Sequence, residues 1–431
     1  MQDIVVAKPY RFVPPMTGTT LAYPIGWWLP HRVWKAYGVR RPEYRGLDRL
    51  AASFAAGHGV LLAGNHCRPC DPEVVGLLCA HVRRPPYIMA SWHLFMQGWV
   101  QRQMLRAAGV FSVYREGVDR EAIRAATAFL AEGQRPLVLF PEGAVSRSND
   151  RLGHLMDGTA FIARAAAKLR AKTTRALGAP PPGKVVVHPV ALHYYFDGDL
   201  RAAVDPVLTM IERRLGWQPQ RDVKLLPRVE KVGEGLLSSK EVEYFGKVQS
   251  GPTAERLPRL VERVLGPLEA EYGLARREGE APAEPAALPA RQEPRPPAPD
   301  LPTIERVKRL RGAIVPGLVT GELSEADRDR RWRQLADCYF AQQLACYPVG
   351  YLDGRPTVGR ILETVERYEE DLTDTTRVHR PLRCVIEVGE AIEVTPERQR
   401  GGDGDPLMAQ LRERLTAMLA ELAKAERVWE E

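Results

Sequence analysis

The chain has 431 residues, of which 45% are hydrophobic, and it carries a formal net charge of +7. This length allows two to three domains with a sizeable core, and no apolar run reaches about 18 residues, which excludes a membrane-spanning helix. Six cysteines without regular spacing, and an N-terminus without a cleavable signal pattern, favour free thiols in a reducing compartment. No nucleic-acid-binding motif accompanies the basic charge, so we expect no nucleic-acid partner.

The first 46 residues are basic and rich in aromatic side chains. They contain seven Lys or Arg residues, two acidic residues and eight aromatic residues, among them Trp27, Trp28 and Trp34. Aromatic rings beside cations suit the headgroup layer of an anionic bilayer. We therefore predict that residues 1–46 form an amphipathic, membrane-facing segment with a short helix over 30–37. The alternative is that these rings pack on the core of the domain.

From residue 47 to residue 200, strand-like apolar runs alternate with helical patterns. The strand-like runs lie at 60–63, 87–90, 110–113, 137–140 and 185–195. The helical patterns lie at 73–82, 94–107, 120–131 and 158–172. This alternation predicts an α/β fold: a mixed, mostly parallel sheet with helices on both faces.

Beyond residue 200 the pattern becomes mostly helical. Residues 201–277 predict a helical extension, and the eight prolines within 278–302 predict a disordered linker. Residues 303–375 predict a second helical region, with a capped helix start at Ser324.

Residues 376–427 predict a strand, a Gly-Glu turn, a second strand and an amphipathic helix. We interpret them as the part that completes the α/β core at 47–200, which makes residues 200–375 mostly an insertion. A competing strand with a Gly-Glu pair occurs at 228–234. We favour the later copy because its apolar and polar residues alternate better and its helix follows more closely.

The candidate catalytic residues, His66 and Asp71, follow the strand-like run at 60–63. A turn held by Pro69 can fold the Asp71 carboxylate back onto the imidazole. A carboxylate on one ring nitrogen fixes the tautomer and leaves the other nitrogen free to take a proton from an alcohol. The alternative is a structural histidine in a strand-to-helix turn.

Cys67 and Cys70 lie in the same turn. Their spacing suggests a redox pair or half a zinc site, but no second pair of Cys or His ligands completes it, so we expect no bound metal. They are also possible nucleophiles beside His66.

Three further motifs follow in order along the chain. They are Gly-x5-Arg ending at Arg115, Phe-Pro-Glu-Gly-x-x-Ser-Arg over residues 140–147, and a strand that contains Pro189. With the His-x4-Asp motif before them, they resemble the signature of the glycerolipid acyltransferase family, of the lysophosphatidic acid acyltransferase (1-acylglycerol-3-phosphate O-acyltransferase) type. The resemblance covers about residues 25–200.

The resemblance implies an O-acyltransferase of phospholipid synthesis. Such an enzyme moves a fatty acyl group from an acyl thioester, either acyl-CoA or acyl-carrier protein, to a glycerol hydroxyl. His66 would take the proton of that hydroxyl while Asp71 holds the imidazole. The transfer is direct and needs no cofactor.

The resemblance also implies the residues that bind the acceptor. Arg115 and Arg147 are candidate cations for an acceptor phosphate, because a guanidinium binds phosphate oxygens at two points. Glu142 and Gly143 would hold the glycerol end, with Ser146 as a hydroxyl partner.

Two positions depart from the family's pattern. Many members have Ser or Thr two residues after the histidine, where this chain has Arg68, and many have a Lys where it has Ser91. If Arg68 replaces that cation, the resemblance implies a glycerol phosphate acceptor, with 1-acylglycerol 3-phosphate as the favoured one. If it does not, the acceptor is a lysophospholipid or another lipid.

A further alternative is an inactive lipid-binding scaffold, which the intact His66 and Asp71 argue against. Because the acceptor and product lie in a bilayer, we expect a peripheral (monotopic) protein on the cytoplasmic side of a membrane, bound to an anionic surface.

Overall fold

The computed structural model describes residues 7–177, 183–274, 301–319, 321, 323–397 and 405–430. The linker predicted at 278–302 lies outside these ranges apart from its last two residues. Within the described residues, eight strands form one sheet. They are β1 (Glu43–Arg45), β2 (Gly59–Gly64), β3 (Tyr87–Ser91), β4 (Val110–Val113), β5 (Leu137–Leu139), β6 (Val185–Phe196), β7 (Leu382–Val388) and β8 (Ile392–Glu393).

The helices of the described residues fall into an N-terminal and a C-terminal set. The first set is α1 (Ala22–Tyr37), α2 (Leu47–Ala55), α3 (Asp71–His81), α4 (Trp99–Ala107), α5 (Arg120–Glu132) and α6 (Gly158–Leu177), with a 3₁₀ helix at Trp92–Met96. The second set is α7 (Leu200–Arg214), α8 (Leu225–Phe245), α9 (Thr253–Glu271), α10 (Thr303–Val319), α11 (Glu325–Leu344), α12 (Val358–Thr373) and α13 (Pro406–Ala423).

The sheet has the strand order β1-β7-β6-β2-β5-β3-β4, and β8 pairs with β6. Strands β7 and β8 run antiparallel to β6, whereas every other pairing is parallel. The predicted α/β class with a mixed, mostly parallel sheet is confirmed. Parallel pairing brings the carboxyl ends of β2, β4, β5 and β6 to one edge, where the loops with the sequence motifs begin.

Helices cover both faces of the sheet because its strands are apolar on both sides. Along β2, Val60 and Leu62 enter a core shared with α1, α3, α7 and α12. The alternate residues Leu61 and Ala63 enter the opposite core, shared with α5, α6 and α13. The strand is therefore buried along its whole length.

Four helices of the C-terminal set form a core of their own. Buried residues of α8, α9, α10 and α11, such as Leu265, Leu310 and Leu335, pack together there. The predicted capped start at Ser324 is confirmed, since its hydroxyl accepts a 3.1 Å hydrogen bond from the backbone N–H of Asp327 at the start of α11.

The later of the two strand-turn candidates is the one that pairs in the sheet, as β7 and β8. The competing residues 228–234 lie inside α8, where Val229 and Val232 are fully buried. Their spacing of three residues suits a helix face better than a strand. Strand β1 was not predicted, because three half-exposed residues carry almost no periodic signal.

Helix α1 is longer than predicted and has two faces. Leu29 and Val33 are buried in the core that also contains α3, whereas Trp27 is 89% exposed and Trp28 is 43% exposed. These two rings therefore do not pack on the core of the domain, which was the alternative to a membrane-facing segment. Among the described helices, none combines the length and the apolar character needed to cross a bilayer.

Candidate active site

The site begins where β2 ends. Its last residue is followed by Asn65, whose side chain exchanges two hydrogen bonds with the backbone of Leu192 on β6, at 3.0 and 2.8 Å. The next residue, His66, leaves the sheet edge, and Asp71 begins α3. The turn between them folds back, so that His66 Nδ1 lies 2.9 Å from Asp71 Oδ2. The predicted contact between the two side chains is present in the structure.

Asp71 is fully buried, and three donors hold its carboxylate. Oδ2 accepts hydrogen bonds from His66 Nδ1 and, at 2.8 Å, from the backbone N–H of Arg68. Oδ1 accepts a 2.6 Å hydrogen bond from the Tyr194 hydroxyl. Burial and the nearby Asp71 charge raise the pKa of Tyr194 well above its usual value, so this hydroxyl stays a donor.

Because the Asp71 carboxylate is an acceptor, the Nδ1 of His66 carries the proton and its Nε2 is the free base. No hydrogen bond between described residues occupies that Nε2, and the side chain of His66 is 16% exposed. The ring of Phe140 stacks on the imidazole with 4.5 Å between ring centroids. The imidazole is thus fixed on one side by a carboxylate and on one face by an aromatic ring, with its basic nitrogen accessible.

Glu142 binds the turn that carries His66. It is 4% exposed, and its two oxygens accept hydrogen bonds from the backbone N–H groups of His66, at 2.7 Å, and Gly153, at 2.9 Å. Burial raises the pKa of Glu142 to about 7, against the lowering effect of these two hydrogen bonds. Glu142 therefore holds the turn that carries His66, and its predicted contact with the glycerol end of the acceptor stays a prediction.

Ser146 also binds the backbone of His66. Its N–H donates a 2.7 Å hydrogen bond to the His66 carbonyl, and its hydroxyl lies 3.2 Å from the same oxygen. Gly143 has a φ of +70°, and a Cβ on it would lie 2.4 Å from Met156 Sδ. A glycine is therefore required by this turn whether or not it touches a substrate.

The predicted cations differ in their surroundings. Arg115 donates a 2.5 Å hydrogen bond to the carbonyl of Gly143 and makes no ion pair among the described residues. Arg68 is held by two carboxylates of α12, with 3.0 Å from Nη1 to Glu366 and 3.8 Å from Nη2 to Glu363. Arg68 is therefore not a free cation at this edge of the sheet.

Arg147 is also paired with α12, through Glu370. The contact between α12 and this loop continues at Asp150, whose carboxylate lies 2.7 Å from Nη2 of Arg360. Helix α12 thus covers the side of the site where Arg68 and Arg147 lie, and it neutralises both.

Helix α12 and two polar residues are the parts of the site that the motifs did not reveal. Tyr194 is one of these residues. The other is Asn149, whose amide exchanges hydrogen bonds of 2.8 and 2.7 Å with the backbone of Tyr194. The available signal for α12 was the spacing of Glu363, Glu366 and Glu370, which places three carboxylates on one face of an amphipathic helix.

Cys67 and Cys70 are at most 2% exposed. Burial raises the pKa of both thiols, that of Cys70 to about 12, so neither is a thiolate at neutral pH. Within the described ranges there is also no group of three or more His, Cys, Asp or Glu residues that could hold a metal.

The site thus combines an imidazole held by a buried carboxylate, at the carboxyl edge of parallel strands, with a guanidinium that makes no ion pair among the described residues. Such an imidazole has the geometry of a general base. Residues 41–193 match the family model described as Acyltransferase, so this stretch is a domain of the glycerolipid acyltransferase family. The match contains His66, Asp71, Arg115 and the motif at 140–147, and it confirms the resemblance. A search of curated proteins finds no relative that matches the chain.

Proposed function

We propose that the protein transfers a fatty acyl group from an acyl thioester to the hydroxyl of a glycerol phosphate lipid, with 1-acylglycerol 3-phosphate as the favoured acceptor. The observation that carries this proposal is the His66–Asp71 pair, with Nε2 unoccupied by any described residue. The donor would be acyl-CoA or acyl-carrier protein.

The side chains support a direct transfer. Nε2 of His66 takes the proton of the acceptor hydroxyl as its oxygen forms a bond to the acyl carbon. The carbon–sulfur bond then breaks, and the leaving thiolate takes the proton from the imidazolium. Asp71 stabilises the imidazolium between these steps, and its hydrogen bonds to Tyr194 and Arg68 keep it in place.

The test is the release of free thiol from the acyl donor by the purified protein, with and without acceptor. We expect His66→Ala to abolish acceptor-dependent release and to retain the fold, because the buried Asp71 keeps its hydrogen bonds from Tyr194 and from the backbone of Arg68. The matched control is His81→Ala, at the far end of α3, where the ring is stacked on Tyr44. Full activity in a folded His66→Ala protein would end the proposed mechanism.

The pairing of Arg68 supports a second candidate acceptor. Since Glu366 lies 3.0 Å from this guanidinium and neutralises it, Arg68 does not supply the cation that many family members have nearby. A lysophospholipid without a phosphate monoester would need that cation less. An acceptor screen that compares 1-acylglycerol 3-phosphate, glycerol 3-phosphate and a zwitterionic lysophospholipid decides between the two.

We propose further that the protein works as a peripheral protein at the cytoplasmic surface of an anionic membrane. Several large apolar side chains of α1 and α4 are exposed. They are Trp27 (89%), Trp28 (43%), Trp99 (74%), Val100 (63%) and Met104 (44%). The segment before α1 contacts the end of α4, because Arg106 of α4 donates a hydrogen bond to the carbonyl of Pro14 and accepts one from the N–H of Met16. Exposed rings of this kind suit a bilayer interface.

A further inference from the structure

The loop after β4 packs against α10, a helix far outside the matched domain. A Cβ added to Gly312 of α10 would lie only 3.1 Å from the carbonyl oxygen of Glu116 in that loop. Arg115 precedes Glu116, and Arg311 precedes Gly312. The contact therefore brings a residue of the Gly-x5-Arg motif close to the basic side of α10.

Arg311 is a buried cation without a hydrogen-bonding partner. It is 3% exposed, and its Nε and Nη2 atoms are buried and make no hydrogen bond within the described part of the chain. A buried guanidinium normally has its donors satisfied. Arg306, one and a half turns earlier on α10, shows the usual arrangement, with 2.8 Å bonds to Glu269 and a second pair with Glu262.

Three cations lie near one another at this place, with the carboxyl groups of Glu116 and Glu305 beside them. Burial lowers the pKa of Arg115 to about 10, and the charge of Arg311 adds to the effect. Lys308, one turn before Arg311, is exposed, and its charge interacts with those of Glu305 and Arg115. Glu116 faces both arginines, and burial raises its pKa. The cluster thus carries an excess of positive charge around the buried guanidinium of Arg311.

We propose that Lys308 and Arg311 of α10 join Arg115 to form the binding site for the phosphate monoester of the acceptor. This inference rests on the proposed function and selects among its acceptors. A phosphate monoester is a dianion that accepts several hydrogen bonds, so it matches both the charge excess and the unused donors of Arg311. A zwitterionic lysophospholipid has a phosphodiester with one charge and matches less well.

The position of the cluster relative to the catalytic base supports this assignment. Arg115 donates to the carbonyl of Gly143, and the adjacent Glu142 binds the backbone of His66. The phosphate site and the base are thus attached to the same short turn. The α10 helix supplies the positive charge that Arg68 and Arg147, paired with α12, do not provide.

The experiment measures binding of sn-glycerol 3-phosphate, inorganic phosphate and glycerol to the full-length protein by calorimetry. The variants are Arg311→Met, which removes the charge and keeps most of the stem, and Arg311→Lys, which restores a charge. The matched control is Arg309→Gln on the same helix, whose side chain is 40% exposed and paired with Glu305. Circular dichroism and melting temperature establish that each variant is folded.

We expect Arg311→Met to weaken glycerol 3-phosphate binding by about ten-fold or more, because it removes a charge-assisted hydrogen bond. Arg311→Lys should restore part of the affinity, and Arg309→Gln should bind like the unmodified protein. Tighter binding of glycerol 3-phosphate than of inorganic phosphate assigns the site to the acceptor headgroup. Equal binding of the two assigns it to free phosphate and overturns the acceptor assignment.

Unchanged binding by a folded Arg311→Met protein would overturn the inference. So would a rise in the Michaelis constant of the acyl donor alone, which would place the donor's phosphates at this cluster. Failure of the proposed function gives a different result, since the unmodified protein would then release no thiol with any lipid acceptor. The binding measurement remains decisive for the cluster in that case because it needs no turnover.

Discussion

The hydroxyl of Tyr194 donates a 2.6 Å hydrogen bond to Oδ1 of Asp71, inside a core where both side chains are at most 2% exposed. Tyr194 lies on β6 and Asp71 begins α3, so this bond joins the central sheet to the helix that carries the partner of His66. The imidazole of His66 thus depends on a residue more than a hundred positions away.

Tyr194→Phe should lower both the melting temperature and kcat, with the Michaelis constants of both substrates nearly unchanged. The buried carboxylate loses a donor, which costs about 1–3 kcal/mol, and Asp71 then holds the imidazole less firmly. The matched control is Tyr195→Phe, whose hydroxyl donates a 2.8 Å bond to the Leu422 carbonyl, a residue of α13. The control should lose stability and keep kcat. Equal losses of kcat in the two variants would mean that Tyr194 acts only through the stability of the fold.

Arg115→Ala should raise the acceptor Michaelis constant about ten-fold or more, whereas Arg147→Ala should act mainly on stability. The reason is that Arg147 is already paired with Glu370. Glu370→Gln should lower the melting temperature in the same way, and the double variant should lose less than the sum of the two single changes. A similar rise in the acceptor Michaelis constant for Arg147→Ala and Arg115→Ala would contradict this prediction. It would mean that Arg147 leaves α12 to bind the substrate.

The stability of the protein should depend on pH through Glu363. Burial raises the pKa of this carboxyl group to about 8, although Arg68 and the Tyr351 hydroxyl oppose the shift. The folded state therefore holds the proton more tightly than the unfolded chain. Its contribution to stability is fully present below the usual carboxyl pKa and is lost as the pH rises through about 8.

We therefore expect the melting temperature of the unmodified protein to fall relative to that of Glu363→Gln between pH 5 and pH 8, the window below this raised pKa. Differential scanning fluorimetry across this window measures the difference. Glu413→Gln, at an exposed position of α13, is the control and should follow the unmodified protein. Parallel curves for Glu363→Gln and the unmodified protein would mean that Glu363 is ionised throughout.

Replacement of Trp27 and Trp99 by Ser should reduce sedimentation with anionic vesicles, because each ring is more than 70% exposed and available to the interface. The control is Val349→Ser, because Val349 is 57% exposed and lies outside α1 and α4. Undiminished binding by the folded double variant would assign membrane attachment to another surface.

Charge should contribute separately to this binding. Replacing Lys35, Arg40 and Arg41 with Gln should weaken binding to an anionic surface by about 1 kcal/mol per residue. Added salt should weaken this binding as well. Arg32 is left intact because it pairs with Glu73 at 2.7 Å and its loss would disturb the packing of α1 on α3.

The sheet and the contact between His66 and Asp71 could be predicted because their signals are local. A strand such as β2, buried on both faces, is a short apolar run between turn residues, and His66 and Asp71 are separated by a single turn. Strand β1 could not be predicted, because the described strand with which it pairs is β7, more than three hundred residues later. The choice of residues 376–427 over the competing residues 228–234 could also be made from local pattern, because the two valines of the competing stretch are spaced for one face of a helix.

The surroundings of the arginines could not be predicted, because charge pairing depends on tertiary contacts. Nothing near Arg68 or Arg147 in the sequence indicates that α12 neutralises them. Nothing near Arg115 indicates that Arg311 lies close to it while making no hydrogen bond with the described residues. Motif residues identify which side chains occupy a sheet edge, and distant helices decide which of their charges remain available.

The place of β7 in the sheet has a consequence for how the chain folds as it is synthesised. Strand β7 lies between β1 and β6, yet about 190 residues separate the end of β6 from the end of β7. At roughly 5–20 residues per second, the ribosome needs about ten to forty seconds to make them. During that time β6 presents an apolar, unpaired edge, which is a template for aggregation. A protein cut short before residue 382 would keep all four motifs and still have an open sheet.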